Sequence, residues 1–204
     1  MAKIQPLPEA SSSSSSAHEE RQSLRGEQKQ AVYTVWMKSL VFHGNGCTVY
    51  AADGRVAFRV DNYGCRGGRE VFFMDHAGNT LIRIQRKRFG MFKRWEACRY
   101  VDGGEGLGEA TARPWFRVQK AGKNTAAVTM HGSGRTYRID GCARKSDYKI
   151  VGADGAVAAA IGRKQTASGV VLGEDVLTLT VGPEMDHLLA LGVVVVCGLM
   201  NRSM

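Results

Sequence analysis

From Ala31 onward the chain is a succession of short apolar and β-branched runs, interrupted by Gly, Asn or Asp. Val32–Trp36, Thr48–Tyr50, Val56–Val60, Val71–Met74 and Thr80–Ile84 are such runs, and Ser39–Phe42 leads into a His43–Gly46 turn. Asp53-Gly54 and Gly78-Asn79 fall between consecutive runs, and these residue pairs tolerate the positive φ angles of a tight hairpin turn. Further strands are expected at Trp95–Tyr100, Trp115–Lys120, Ala126–Met130, Thr136–Ile139, Tyr148–Val151, Ala156–Ile161 and Leu177–Val181. No helical run separates them. The pattern therefore predicts an antiparallel all-β meander and not a parallel α/β sheet.

The last hydrophobic stretch follows a different rule. Leu188–Met200 is thirteen residues without a charge, preceded by Gly182-Pro183 and by Glu184 and Asp186, which suit the first turn of a helix. Thirteen residues fall short of the ~20 that span a bilayer, so no transmembrane segment is expected. Their apolar character runs all round the helix and not along one stripe, which demands burial on every side. A closed antiparallel barrel around a central hydrophobic C-terminal helix satisfies that demand. Ala52–Ala57 recurs as Ala153–Ala158, and a spacing near half the chain points to two related halves of one barrel.

Composition then divides the chain. Residues 1–30 are polar and Ser-rich, hold as many acidic as basic side chains, and are expected to be a disordered leader to a single domain over 31–204. The first ten residues include Pro6 and Pro8 and lack the apolar core of a secretory signal, and Ala2 stands where myristoylation needs glycine. An intracellular location is expected, cytoplasmic or peripheral at a membrane, with the nucleus as the alternative. Cysteines at 47, 65, 98, 142 and 197 show no short metal-binding spacing and read as scattered thiols. Histidines 18, 43, 76, 131 and 187 form no metal-binding pair, and there is no nucleophile elbow or phosphate-binding glycine loop. No catalytic residue, metal or cofactor is expected, and the enzyme class is disfavoured.

The whole formal charge of +9 belongs to residues 31–204. Arg83, Arg86, Lys87, Arg88, Lys93 and Arg94 place six cations within twelve positions around Gly90, which reads as a hairpin tip. Ile82 and Ile84 should take one sheet face and Arg83 the other. Cations converging at such a tip can chelate a phosphate headgroup at ~1 kcal/mol each, while Phe89, Met91 and Phe92 dip into the acyl boundary. The bland alternative is a solvated rim that protects strand edges. Nucleic acid is a third partner class, since basic and aromatic side chains together suit stacked bases, but no finger, helix-turn-helix or RNP signature supports it. Arg113, Arg117, Lys120 and Lys123 form a second basic group, and Arg144, Lys145 and Lys149 a weaker third.

Tyr33–Trp36, Ala52–Val60, Val71–Asp75 with Gly78, Leu81–Ile84 with Arg86–Arg88, Trp95–Ala97 and the closing apolar helix, in this order, resemble the LURP-one-related family of plant proteins. The resemblance runs from Tyr33 to about Arg202; the Ser-rich leader and the loose Gly103–Gly108 loop depart from it. It implies membership of the tubby C-terminal-like superfamily, which includes phospholipid scramblases. The implied fold is a closed barrel of twelve antiparallel strands around the C-terminal helix. It also implies a non-enzymatic protein with a link to plant defence. Through tubby relatives it implies phosphoinositide as the anionic lipid and a kinship with membrane-tethered transcription regulators. A nucleic-acid-binding or protein-interaction module without lipid binding is the alternative.

Overall fold

The computed structural model describes residues 30–38, 46–61, 70–89, 92–103, 108–122, 124–142 and 146–201. The expected leader and the expected Ser39–Phe42 strand lie outside them. Twelve strands follow one another: β1 (Ala31–Trp36), β2 (Gly46–Tyr50), β3 (Val56–Asp61), β4 (Glu70–Asp75), β5 (Thr80–Phe89), β6 (Phe92–Gly103), β7 (Gly108–Lys120), β8 (Thr125–Met130), β9 (Thr136–Cys142), β10 (Asp147–Gly152), β11 (Val157–Arg163) and β12 (Val176–Val181). Each pairs antiparallel with its sequence neighbours, and β1 pairs with β12 from Ala31–Val181 to Trp36–Val176, closing the barrel. Closure leaves no open sheet edge to template aggregation.

The single described helix, α1 (His187–Asn201), runs through this barrel. Leu189, Ala190, Leu191, Val193, Val194, Val195, Val196 and Cys197 are all at most 2% exposed, so every side of the helix is covered. Val35, Val49, Val60, Phe73, Ile82, Ile84, Phe116, Val118, Ile150 and Leu179 face it from the wall. Strand alternation puts these residues inward, and each fully buried Val, Leu, Ile or Phe contributes ~1.5–3 kcal/mol. At Gly192 the helix and β7 approach so closely that a Cβ would lie 2.9 Å from Phe116 Cζ.

The helix begins later than the sequence suggests. Pro183 and Glu184 lie in the turn between β12 and α1, and Asp186 is the cap. Its Oδ1 accepts the Leu189 N–H at 3.0 Å, satisfying one of the donors that a helix start leaves orphaned. Three strands also run longer than their apolar cores. β5 and β6 extend to the Phe89–Phe92 pair, and β7 starts at Gly108 and passes through Pro114, which sits opposite Cys98 where a bulge shifts the ladder. A bulge tolerates a residue with no N–H to donate.

The echoed segments form hairpins β2–β3 and β10–β11. In both, an Asp carboxylate accepts the N–H two residues on at 3.0 Å (Asp53 from Arg55, Asp154 from Ala156), and a glycine follows with φ of 81° or 85°. Two six-strand halves would instead map β2–β3 onto β8–β9. The expected halving is therefore corrected to a shared turn chemistry.

Antiparallel order sorts the connections between two rims. The helix start and the β2–β3, β4–β5, β8–β9 and β10–β11 turns share the near rim; the β5–β6 and β11–β12 connections lie at the far rim. Val194→Asp or Leu191→Lys should abolish cooperative thermal unfolding, because neither charge has a solvated position within the barrel. A cooperative melt in either variant would place the helix outside the wall. Gly192→Ala should cost about 1–3 kcal/mol by overpacking against Phe116, read as a lowered Tm in circular dichroism.

Candidate functional site

Six cations close together in sequence divide between the two faces of the β5–β6 ladder. Residues 82–86 alternate strictly against β6, pairing Ile82 with Arg99, Ile84 with Ala97 and Arg86 with Trp95. Ile82 and Ile84 are fully buried, and Arg86 continues their inward phase beside buried Trp95. Arg83 and Lys87 take the outward phase, as does Arg94, the backbone partner of Lys87. The expected division between Ile82, Ile84 and Arg83 is observed. Arg88 and Lys93 pair in the ladder, as do Phe89 and Phe92, but their side chains, and Met91 entirely, lie outside the described residues.

The outward cations are interleaved with carboxylates. Arg83 Nε lies 3.6 Å from Glu70 Oε1, and Arg94 Nη2 lies 3.0 Å from Glu96 Oε1. Gln85 donates to Glu70 and accepts from Lys87 Nζ at 2.9 Å, so amide and carboxylate link β4 to β5. Arg117 on β7 pairs with Glu96, and Gln119 with Arg94, which brings one member of the second basic group beside the first. Arg113 goes to the other end of the same strand, opposite Arg99. Lys120 ends β7 at the far rim, exposed; Lys149 is exposed on β10, and Lys123, Arg144 and Lys145 lie outside the described residues. Both ion pairs are half-buried, and Lys87 and Arg117 are the exposed cations of this face, open to a multivalent anion.

The near rim holds contacts that the sequence does not announce. His187 Nδ1 lies 2.9 Å from the Tyr33 hydroxyl, and burial holds that phenol above its ordinary pKa. Arg99 places its guanidinium 4.9 Å over the Trp115 ring and 3.5 Å from Asp186, tying the helix cap to the wall. On the outer face of β3, buried Asp61 meets Arg59 at 3.3 Å. The Tyr33–His187 and Arg99–Asp186 pairs join elements far apart in sequence with no shared motif, whereas Arg59 and Asp61 meet as neighbours two apart on one strand. At the far end of β1, Asp175 binds Lys38 at 2.8 Å and the Trp36 indole at 3.1 Å, which together hold its carboxyl below the usual range.

Nucleophilic chemistry finds no support in the buried thiols. Burial pushes Cys47 and Cys197 up to about 12, and Tyr148, bonded to Cys197, is driven well above its ordinary value mainly by the same desolvation. A thiol so shifted is almost entirely protonated at neutral pH and is inert. Among the described residues no group of His, Cys, Asp and Glu could hold a metal ion, and no helix is long and apolar enough to cross a membrane.

Residues 31–198 match the LURP-one-related family over the whole described barrel and nearly all of α1. The chain belongs to that family. It is 36% identical over 200 residues to Protein LURP-one-related 11 of Arabidopsis thaliana, an alignment covering 92% of this chain and 85% of that one. Protein LURP-one-related 4 from the same plant is 33% identical, with 85% of this chain and 80% of that protein covered. An X-ray structure of an Arabidopsis thaliana protein shares the fold at 15% identity, with a TM-score of 0.58 over 86% of this chain and 93% of that chain.

In this LURP-one-related domain the shifted thiols give a direct check. In the native protein, Ellman's reagent at pH 8 should leave Cys47 and Cys197 unlabelled, and both should react once denaturant opens the barrel. Labelling of either in the folded state would mean that the wall or the helix end admits solvent.

Proposed function

We propose that this domain is a non-enzymatic intracellular module that binds anionic phospholipid, phosphoinositide foremost, through the basic β5–β6 hairpin. The observation that carries this reading is the position of the hairpin. Its ladder delivers the cation-rich segment to the far rim, ending in the Arg88–Lys93 and Phe89–Phe92 pairs. A rim can meet a planar surface, whereas cations in mid-wall would be held off by the barrel's curvature. Outward Arg83, Lys87, Arg94 and Arg117 exceed the carboxylates among them, Glu70 and Glu96, so the hairpin keeps a positive balance toward a phosphate-rich surface. Each cation near an anionic leaflet contributes ~1 kcal/mol, which suits weak, reversible attachment. Its place would be peripheral at an intracellular membrane, and a role in plant defence or in membrane-tethered regulation fits such reversible attachment.

Nucleic acid remains the contrasting partner. The groove-reading helix of many DNA-binding proteins has no counterpart among the described residues, because α1 is enclosed by the barrel. Changing Arg86, Lys87, Arg88 and Lys93 together to Glu should abolish co-sedimentation with phosphoinositide-containing vesicles, and the triple change that spares Arg86, which lies beside buried Trp95, should do the same while the thermal melt is retained. Undiminished co-sedimentation would reject this hairpin as the site. Salt-dependent retention of DNA, lost in the same variant and without any vesicle binding, would replace the lipid reading.

A further inference from the structure

Opposite the basic hairpin, the far rim carries a second projection. Beyond Arg163 and Val176 the chain continues as a small ordered arm. Gln165 and Val171 form an isolated antiparallel bridge, Lys164 N–H donates to Val176 at 2.8 Å, and Leu172 N–H donates to Lys164 at 3.0 Å. Its turn is closed by Thr166, whose N–H donates to Val170 at 2.9 Å and whose Oγ1 accepts the Val170 N–H at 3.1 Å, with Gly169 at φ 82°. This ordered arm holds bare apolar side chains. Val170, Val171 and Leu172 are 60%, 44% and 50% exposed, and they make up half of the large hydrophobic residues exposed among those described.

We infer that Val170-Val171-Leu172 is a membrane-inserting arm that works with the basic hairpin on an anionic lipid surface; the inference rests on the lipid reading above. Three observations carry it. Consecutive residues of an extended arm point to opposite sides, and all three are exposed, so apolar groups stand on both sides of the arm, Val171 at a recess beside Gln165 and Arg163. A rigid protein surface covers one side of such an arm, whereas a fluid acyl layer surrounds both. The arm is also already hydrogen-bonded, so insertion orders no additional chain. Finally, in the closed ring the β11–β12 connection stands six strands from the β5–β6 connection in either direction, on the same rim. Two projections diametrically opposed on one rim define a plane across the barrel mouth, with exposed Lys120 and Lys149 near that rim. Of the acidic residues near the base of the arm, Glu174 is engaged by Arg163 at 3.3 Å and Asp175 by Lys38 at 2.8 Å, while exposed Asp147 lines a recess beside Arg163 and Val171.

The division of labour separates the arm from the cations. Vesicles of phosphatidylcholine with and without phosphatidylserine and phosphoinositide are titrated with wild type, with Val170→Ser/Val171→Ser/Leu172→Ser, and with the four-Glu hairpin variant, at low and high salt. The arm variant should lose about tenfold in partitioning onto the anionic vesicles, equal to 1.4 kcal/mol, and the residue of binding should disappear at high salt. Leu172→Trp should blue-shift its emission on the same vesicles. An arm variant that binds like wild type, with no shift at residue 172, overturns the arm while a failing four-Glu variant keeps the lipid reading intact. A wild type that ignores anionic vesicles overturns both. Thermal melts of the exposed-site variants confirm folding, and Leu172→Ser alone serves if the triple change lowers stability.

Discussion

An apolar helix that no solvent can be allowed to touch is the constraint on which the rest of this structure depends. Most helices in globular proteins solve their burial problem with one stripe and one neighbour. α1 has no polar side to offer, from Leu189 to Cys197, and only a wall that closes around it removes all of that surface from water. The wall needs the helix equally. A twelve-stranded barrel with inward Val, Ile, Leu and Phe would otherwise enclose a void, and protein interiors do not tolerate voids of that size. Gly192 against Phe116 shows how tightly the two surfaces are matched.

Chemistry is consequently pushed outward. The interior is filled by the helix, and its thiols and the Tyr148 phenol are held protonated by burial. What remains is the outer surface and the two rims, and they differ. The near rim is made largely of short turns and the capped helix start, tied down by Arg99, Asp186, Tyr33 and His187. The far rim bears the basic hairpin and the apolar arm. Membership of the LURP-one-related family accounts for the barrel and leaves the partner to be argued from these surfaces.

Much of the fold was legible because its physics is local. Period-two alternation marked most strands, Asp-Gly pairs marked the tight turns, and an uncharged stretch too short for a bilayer marked the helix and its need for a sheath. What the sequence left open depended on register. Six cations in twelve positions looked like one cluster, yet a strand sends neighbours to opposite faces, so Arg86 stands beside Trp95 while Arg83 and Lys87 lie outside. Glu70, which tempers them, arrives from another strand, and Glu96 from across the hairpin. The expected strand bounds stopped at Ile84 and Trp95 because charges hide the alternation, yet the ladder runs to the Phe89–Phe92 pair on either side of the expected tip at Gly90. The arm at Val170–Leu172 was overlooked because three apolar residues in a loop carry no period, and only their exposure gives them meaning.

The order of the parts along the chain has a consequence for how the molecule comes into being. The first strand closes the barrel by pairing with the last, and the filling follows that last strand. Contacts so distant in sequence form slowly, since a long loop must be closed before they are rewarded. During synthesis the wall strands emerge with their inner faces bare, and nothing they have yet made can cover them. A nascent chain of this design carries bare apolar wall until the helix has been made, and a polypeptide cut short before His187 would lack the filling that the wall encloses.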